Sequence, residues 1–467
     1  MHAASRRVAI ALSAMVPVVA AATLAAVPNA TRVDYTDHKL KNGLRVLIAE
    51  DHHAPVISVA IVYNAGSRDE RKGRTGFAHL FEHMMFKGSA NVADGEHLRL
   101  IQNNGGRLNA TTDQDRTLYY DTLPANQLDL VLFLEADRMR SLDVSQANLD
   151  NQRNAVQEER RLRLDNQPYG RTFEAIQDLA YDNSYQHLPI GSMEDLNAAS
   201  VEDVAQFFKT YYAPNNAVMA IVGDVSTEAC LAKVRKYFED IPSQQPPPDV
   251  DMTEPPQTAE RRQTVEDPLA RLTRLDVVYK IPNAKSPDIE PLQVLSTALG
   301  GGRSSRLYQA LVRDKQIAAQ TGTFVDETRG PGLFQIFVAV VPGKSAAEVE
   351  AALTAQLEAV KRSEIAAWEL DKARNAARRS FVGSLGSSFD RAVLLAEYTA
   401  FFGRPDRINT RLDDIAAVTA ADVQRVAQGY LRAESRSVVV TVPKTPPQSG
   451  SRREDPRTPR IPRQGGL

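Results

Sequence analysis

Apolar and polar residues alternate over residues 38–51 around an Asn42-Gly43 turn, which predicts a hairpin; Val56 to Tyr63 follows as a more uniformly apolar strand. After the charged loop from Gly66 to Gly76 the period changes. In G-F-A-H-L-F-E-H-M-M, Gly76 to Met85, the apolar residues Phe77, Leu80, Phe81, Met84 and Met85 recur at helical spacing. Further helices are predicted over residues 94–103, stopped by Gly105-Gly106, over 125–139 and over 145–164. Strands are predicted at 107–112 and 117–122, joined by the polar turn Asp113 to Asp115. On the 145–164 helix the apolar arc is Leu149, Ala155, Val156 and Leu162, with Glu159 near its middle and Glu158 pointing away.

The chain then repeats a pattern. Ser200-Val-Glu-Asp-Val starts a capped helix ending in Tyr211, followed by a strand at 217–222; Thr419-Ala-Ala-Asp-Val starts another ending in Tyr430, followed by a strand at 437–442. One constant offset relates Asp203 and Val204 to Asp422 and Val423. The expected fold class is therefore α+β, with two homologous domains, each a mostly antiparallel sheet packed against helices. The first domain is expected over 34–240 and the second over 265–443, with a proline-rich linker at 241–264. Within the second half the pattern predicts strands at 272–279 and 334–341, and helices at 289–299 and 304–313 around the turn Gly300-Gly301-Gly302.

Composition narrows the class. With 43% hydrophobic and 24% charged residues in 467, the chain is that of a folded protein, and a net charge of -2 offers no general attraction to nucleic acid. Residues 1–30 have the layout of a secretory signal peptide: Arg6-Arg7, then an apolar alanine-rich run, then Pro28-Asn29-Ala30. Cys230 is the single cysteine, so no internal disulfide can form. Export without disulfides fits a bacterial periplasm. The tail, 444–467, is rich in proline and arginine, lacks an apolar period and is expected to be disordered.

The candidate chemistry lies on the polar side of the first helix. His79 and His83 stand four residues apart on one face, and Glu82 falls on the same side. Two neutral imidazoles at that spacing can reach one zinc ion, and a neighbouring carboxylate can take a proton from water; H-x-x-E-H is the inverted form of the zinc helix. Glu159, aimed at a core, needs a partner. It reads either as a third zinc ligand or as half of an internal salt bridge.

Four segments carry a resemblance: A-G-S-R-D-E (Ala65 to Glu70), G-F-A-H-L-F-E-H-M-M-F-K-G-S (Gly76 to Ser89), G-G-R-L-N-A-T-T-D-Q-D-R-T-L-Y-Y (Gly105 to Tyr120) and G-G-G-R-S-S-R-L-Y-Q-A-L-V-R-D-K (Gly300 to Lys315). They resemble the inverted zinc peptidases of the pitrilysin, insulysin and mitochondrial processing peptidase family, in its short two-domain form. The resemblance implies a metalloendopeptidase with one zinc held by His79, His83 and Glu159, and with Glu82 as the catalytic base. It also implies that Asn109 and Ala110 lie on an edge strand that pairs with an extended peptide, and that Arg313 binds substrate. Two positions depart from the family pattern. Gln152 stands where many members have a second acid, and Gln320 stands where active members have a tyrosine seven residues after the arginine. Short members pair to close a chamber, so a second family subunit is the expected partner, a heterodimer being favoured. The alternative is a non-catalytic peptide-binding or scaffold subunit of such a pair.

Overall fold

The structure is a computed structural model that describes residues 32–444. The expected signal peptide and the expected tail beyond Lys444 lie outside the described residues. The first half runs β1 (Thr36–Lys39), β2 (Arg45–Glu50), β3 (Val56–Tyr63), α1 (Phe77–Met84), α2 (Glu96–Asn103), β4 (Arg107–Thr112) and β5 (Thr117–Pro124). It continues with α3 (Leu128–Ser141), α4 (Gln146–Arg160), α5 (Gly170–Ala180), α6 (Met193–Asn197), α7 (Val201–Tyr211), β6 (Ala217–Gly223) and α8 (Thr227–Phe238). The second half runs β7 (Arg261–Asp267), β8 (Arg274–Ile281), α9 (Ile289–Gly300), β9 (Ala318–Val325) and β10 (Gly332–Val340). Helices α10 (Ala346–Arg362), α11 (Ala367–Gly383), α12 (Ser388–Phe402), α13 (Arg407–Ala417) and α14 (Ala420–Tyr430) then lead to β11 (Arg436–Pro443).

The strands form two sheets, ordered β1-β2-β6-β3-β5-β4 and β7-β11-β8-β10-β9. Strand β6 lies parallel to β2 and antiparallel to β3, and β11 lies parallel to β7 and antiparallel to β8. The repeated helix-strand unit therefore occupies the same place in both sheets. Its caps are the expected ones: the Ser200 side chain accepts from the Asp203 N–H, and the Thr419 side chain from the Asp422 N–H.

Packing crosses the boundary between the halves. Ile48, Ile57, Val59 and Ile61 face helices of the first half, whereas the alternate residues Leu47, Ala49, Ala60 and Val62 face Ala392, Leu395 and Ala396 of α12. Conversely Ala175, Ile176 and Ala180 of α5 pack on Val278, Leu333 and Val439 of the second sheet. Each sheet has one face covered by a helix from the other half. Burial on both faces is why β3 reads as an almost continuous apolar run.

Three expectations are corrected. Residues 261–264, read as linker, belong to β7, because β11 offers Arg261 to Asp267 a parallel ladder. Ala155 and Leu162 do not join the buried arc of α4: both are exposed, and the buried positions are Leu149, Val156, Gln157 and Arg160. The helix changes to a π turn over Arg161–Asp165, and its wider turn rotates Leu162 outward. The expected helix at 304–313 is mostly a π-helical segment, Tyr308–Asp314. Strand β9, with its small and polar residues around Gly322, is one that the alternation pattern misses. Among the described residues no helix is long and apolar enough to cross a membrane.

Candidate metal centre

Helix α1 starts from a constrained point. Gly76 has φ +91°, and a Cβ there would lie 2.9 Å from the Ile190 carbonyl oxygen, so glycine is required twice over. Glu70 supplies the cap that glycine cannot: its carboxylate accepts from the backbone N–H of Gly76 at 2.9 Å and of Ala78 at 2.8 Å. A carboxylate at a helix N-terminus also complements the helix dipole. Burial nonetheless pushes the Glu70 carboxyl well above its ordinary range.

From this anchored helix His79 and His83 face α4, and Glu82 faces β4. His79 Nε2 lies 3.5 Å and His83 Nε2 3.1 Å from the same oxygen, Oε2 of Glu159. The candidate ligand atoms of all three residues fall within 4.8 Å of one another. Ligands of a tetrahedral zinc with bonds of about 2.0–2.1 Å stand about 3.3 Å apart, so the set is close to the spacing that ion requires. Two imidazole nitrogens and one carboxylate leave a fourth position free, as a catalytic rather than structural zinc site does.

The surrounding contacts orient these groups. His83 Nδ1 donates to Gln152 Oε1 at 3.2 Å, which leaves Nε2 as the ring nitrogen that meets Glu159 and that would turn to a metal on losing its proton. Arg163, one turn beyond Glu159, holds the other carboxylate oxygen at 2.7 Å. Glu82 is buried and accepts from Thr112 Oγ1 at 2.6 Å. Burial, with the neighbouring His83 second, lowers His79 to about 4, so this imidazole is neutral at physiological pH. At His83 burial opposes the charged form, but the hydrogen bond and charge of Glu159 outweigh it and the imidazole is raised. Glu159 is lowered, chiefly by its hydrogen bond with His83, and Glu82 is raised, chiefly by burial.

Asn109 and Ala110 lie on β4, the terminal strand of the first sheet, opposite Tyr120 and Tyr119 of β5. The Asn109 side chain is exposed and that of Ala110 is buried. Among the described residues the other edge of β4 pairs with no strand, so it presents free backbone groups. Arg313 is not brought to the cluster. It lies exposed at the surface, paired with its neighbour Asp314 at 2.7 Å, and Gln320 is exposed on the edge strand β9.

A second buried group, His97, Asp121 and Glu135, also has ligand-like spacing. Here the positive charge is already supplied: Arg138 grips Glu135 with two hydrogen bonds of 3.1 and 2.5 Å and stacks over Tyr119. That group is built around the buried Arg138–Glu135 ion pair. Sequence reasoning missed Glu70, Thr112 and Arg163. Arg163, four residues after Glu159, was open to the helical i,i+4 rule; Glu70 and Thr112 act through loop and sheet geometry that no short-range period encodes.

Known proteins resemble this chain over most of its length. Residues 45–191 match the family model described as insulinase (peptidase family M16), and residues 198–377 the model described as peptidase M16 inactive domain. The chain is 33% identical over 411 residues to the zinc protease PqqE of Helicobacter pylori, covering 86% of this chain and 92% of that protein. It is 25% identical over 408 residues to the probable mitochondrial-processing peptidase subunit beta of Arabidopsis thaliana, covering 84% of this chain and 75% of the relative. Among solved structures, a protease from Helicobacter pylori superposes with a TM-score of 0.84 at 31% identity, over 88% of this chain and 100% of the other. The first half of the periplasmic protease PqqL from Escherichia coli shares the fold, with a TM-score of 0.72 at 18% identity over 88% of this chain and 92% of that one.

Proposed function

This chain belongs to peptidase family M16, the insulinase family, and from that premise we propose that it is a zinc-dependent endopeptidase that hydrolyses unfolded peptides. The observation that carries the reading is the convergence of His79 Nε2 and His83 Nε2 on one oxygen of Glu159, with Glu82 buried on the same helix. Zinc held by these three residues supplies Lewis acidity toward the scissile carbonyl. Glu82 takes a proton from the attacking water on its carboxylate and returns it to the leaving amine, so no covalent enzyme intermediate is needed. Thr112 holds that carboxylate through Oε2, leaving Oε1 to receive the proton. The unpaired edge of β4 receives an extended substrate backbone beside Asn109 and Ala110, a mode that binds many sequences.

Two residues support a division of labour. Arg313 is paired with Asp314, and the position seven residues later, where the family resemblance implies a tyrosine that steadies the oxyanion, is Gln320. The reading is therefore of the zinc-bearing subunit of a heterodimer, paired with a second family member that supplies the missing donor, in the periplasm. Loss of one oxyanion donor lowers rates by about a hundredfold or more. Gln152 and Gln320 also favour a second reading, a non-catalytic peptide-binding subunit. Zinc content and cleavage of an unstructured fluorogenic peptide, for the wild type and Glu82→Gln, each with and without a co-expressed family partner, separate the readings. The enzyme reading expects zinc in both chains and cleavage only with Glu82 intact, faster with the partner. Zinc-free chains that bind peptide without cleaving it support the second reading.

A further inference from the structure

The β4–β5 hairpin carries both the candidate substrate edge and Thr112, yet among the described residues it has a sheet neighbour on one side only. Its turn, residues 113–116, is held from both halves of the chain: the Ser67 and Arg68 amides donate to the Asp113 and Gln114 carbonyl oxygens at 3.1 and 3.0 Å, and the second half adds side-chain ties. Arg116 makes two hydrogen bonds to Glu397 Oε1 of α12, at 3.0 and 2.7 Å. Its remaining arm donates to the Thr111 carbonyl oxygen at 2.8 Å and the Thr111 hydroxyl at 2.7 Å. One guanidinium thus ties α12 to the backbone of β4, one residue before the hydroxyl that holds Glu82.

A second tie flanks the first. Asp115, 1% exposed, accepts the backbone N–H of Arg329 at 2.8 Å, from the loop between β9 and β10, and the Tyr185 hydroxyl at 2.6 Å. The Arg329 side chain is fixed in turn: it donates to Asn64 Oδ1 at 2.5 Å and to the Ala400 carbonyl oxygen at 3.1 Å, and lies over the Phe401 ring. Asp115 has its charge partner in Arg68 Nη1 at 3.3 Å, and the Arg329 guanidinium is satisfied by the Asn64 and Ala400 oxygens, so both buried groups hold their geometry. Position along a strand matters here, since side chains alternate between faces and a small displacement moves both Asn109 and Thr112 away from their targets.

We propose that Glu397 and Arg329 are positioning residues for peptide binding and hydrolysis: the second half of the chain, together with the 66–68 loop, sets the place of the substrate edge through the turn at 113–116. This inference rests on the peptidase reading for its kinetic consequence but not for its structural one. Glu397→Gln keeps the side chain's shape and removes one of the two charges on Arg116, the other being Asp113 Oδ2 at 3.2 Å. In the full mature chain, hydrogen exchange of the backbone amides of residues 108–118 should accelerate about tenfold in Glu397→Gln, with α1 unchanged. Zinc content should stay within error of the wild type, and the unfolding midpoint should fall only modestly, because Arg116 keeps Asp113 at 3.2 Å and the Thr111 carbonyl oxygen at 2.8 Å. With the fluorogenic peptide, KM should rise about tenfold with a smaller fall in kcat, because a displaced edge weakens backbone pairing more than it alters the zinc ligands. Arg329→Ala should act in the same direction, and Glu397→Asp should recover part of the loss. Unchanged exchange at 108–118 overturns the proposal, as does faster exchange with unchanged KM. So does a loss of zinc or a lowered midpoint that accounts for the kinetic change. If the wild type cleaves nothing, the peptidase reading fails while the exchange measurement still decides whether the second half holds this hairpin.

Discussion

Glu82 faces two conflicting demands: as a base it must be ionised, yet its burial favours the neutral acid. The Thr112 hydroxyl answers this by donating to the ionised form, the direction in which hydrogen bonding restores charge to a buried carboxylate. Thr112→Val, nearly the same in shape, should keep zinc and lower kcat about tenfold in steady-state assays of peptide cleavage. Around the histidines, Gln152 accepts from His83 Nδ1 as a neutral amide. A carboxylate there makes the imidazole a stronger donor to metal, so Gln152→Glu should tighten zinc binding about tenfold in competition titrations with a chelator. The pH dependence follows from His83. Its pKa in the folded, metal-free chain is raised above 6.5 by Glu159, so zinc must displace a proton at lower pH. Affinity should be flat above that raised value and fall about tenfold per unit below it. Glu159 was legible in the sequence because its helical position separates it from Glu158. Thr112 was not, because it meets Glu82 through the lie of a strand across a helix.

At the scale of elements, the histidine helix depends on how it begins. Gly76→Ala forces a left-handed backbone on a residue with a Cβ and presses that atom on the Ile190 carbonyl. It should destabilise the chain by about 1–3 kcal/mol in denaturant unfolding and weaken zinc binding with it. Turn residues, caps and long periodic helices were readable, as the Asn42-Gly43 turn and the Ser200 and Thr419 caps demonstrate. The π turn after α4 was not. A local change from four to five residues per hydrogen-bonded turn leaves no mark in an apolar pattern, so Leu162 was placed inside when it is 57% exposed. Strand β7 hid for another reason: its ladder partner, β11, lies at the far end of the chain, and its own residues are mostly polar.

For the whole molecule, the duplication could be read from the repeated capped helix and strand, but the exchange of covering helices could not. An amphipathic helix has the same sequence pattern whichever sheet it covers, and α5 and α12 each cover the sheet of the other half. Separately produced halves should therefore fail to fold, each exposing the apolar face that the other would have covered. Co-production should recover soluble material by size-exclusion chromatography. Leu395→Ala, in α12, should lower stability by about 2–5 kcal/mol through the first sheet's core, although it lies far from that sheet in sequence. The whole arrangement serves to set two imidazoles and one carboxylate at a common point. Anomalous diffraction at the zinc edge from crystals of the zinc-loaded chain tests this most directly. The expected result is one peak per chain, about 2.0–2.2 Å from His79 Nε2, His83 Nε2 and a Glu159 oxygen. A peak at any other residues, or zinc bound by the histidines with Glu159 turned away, would contradict it.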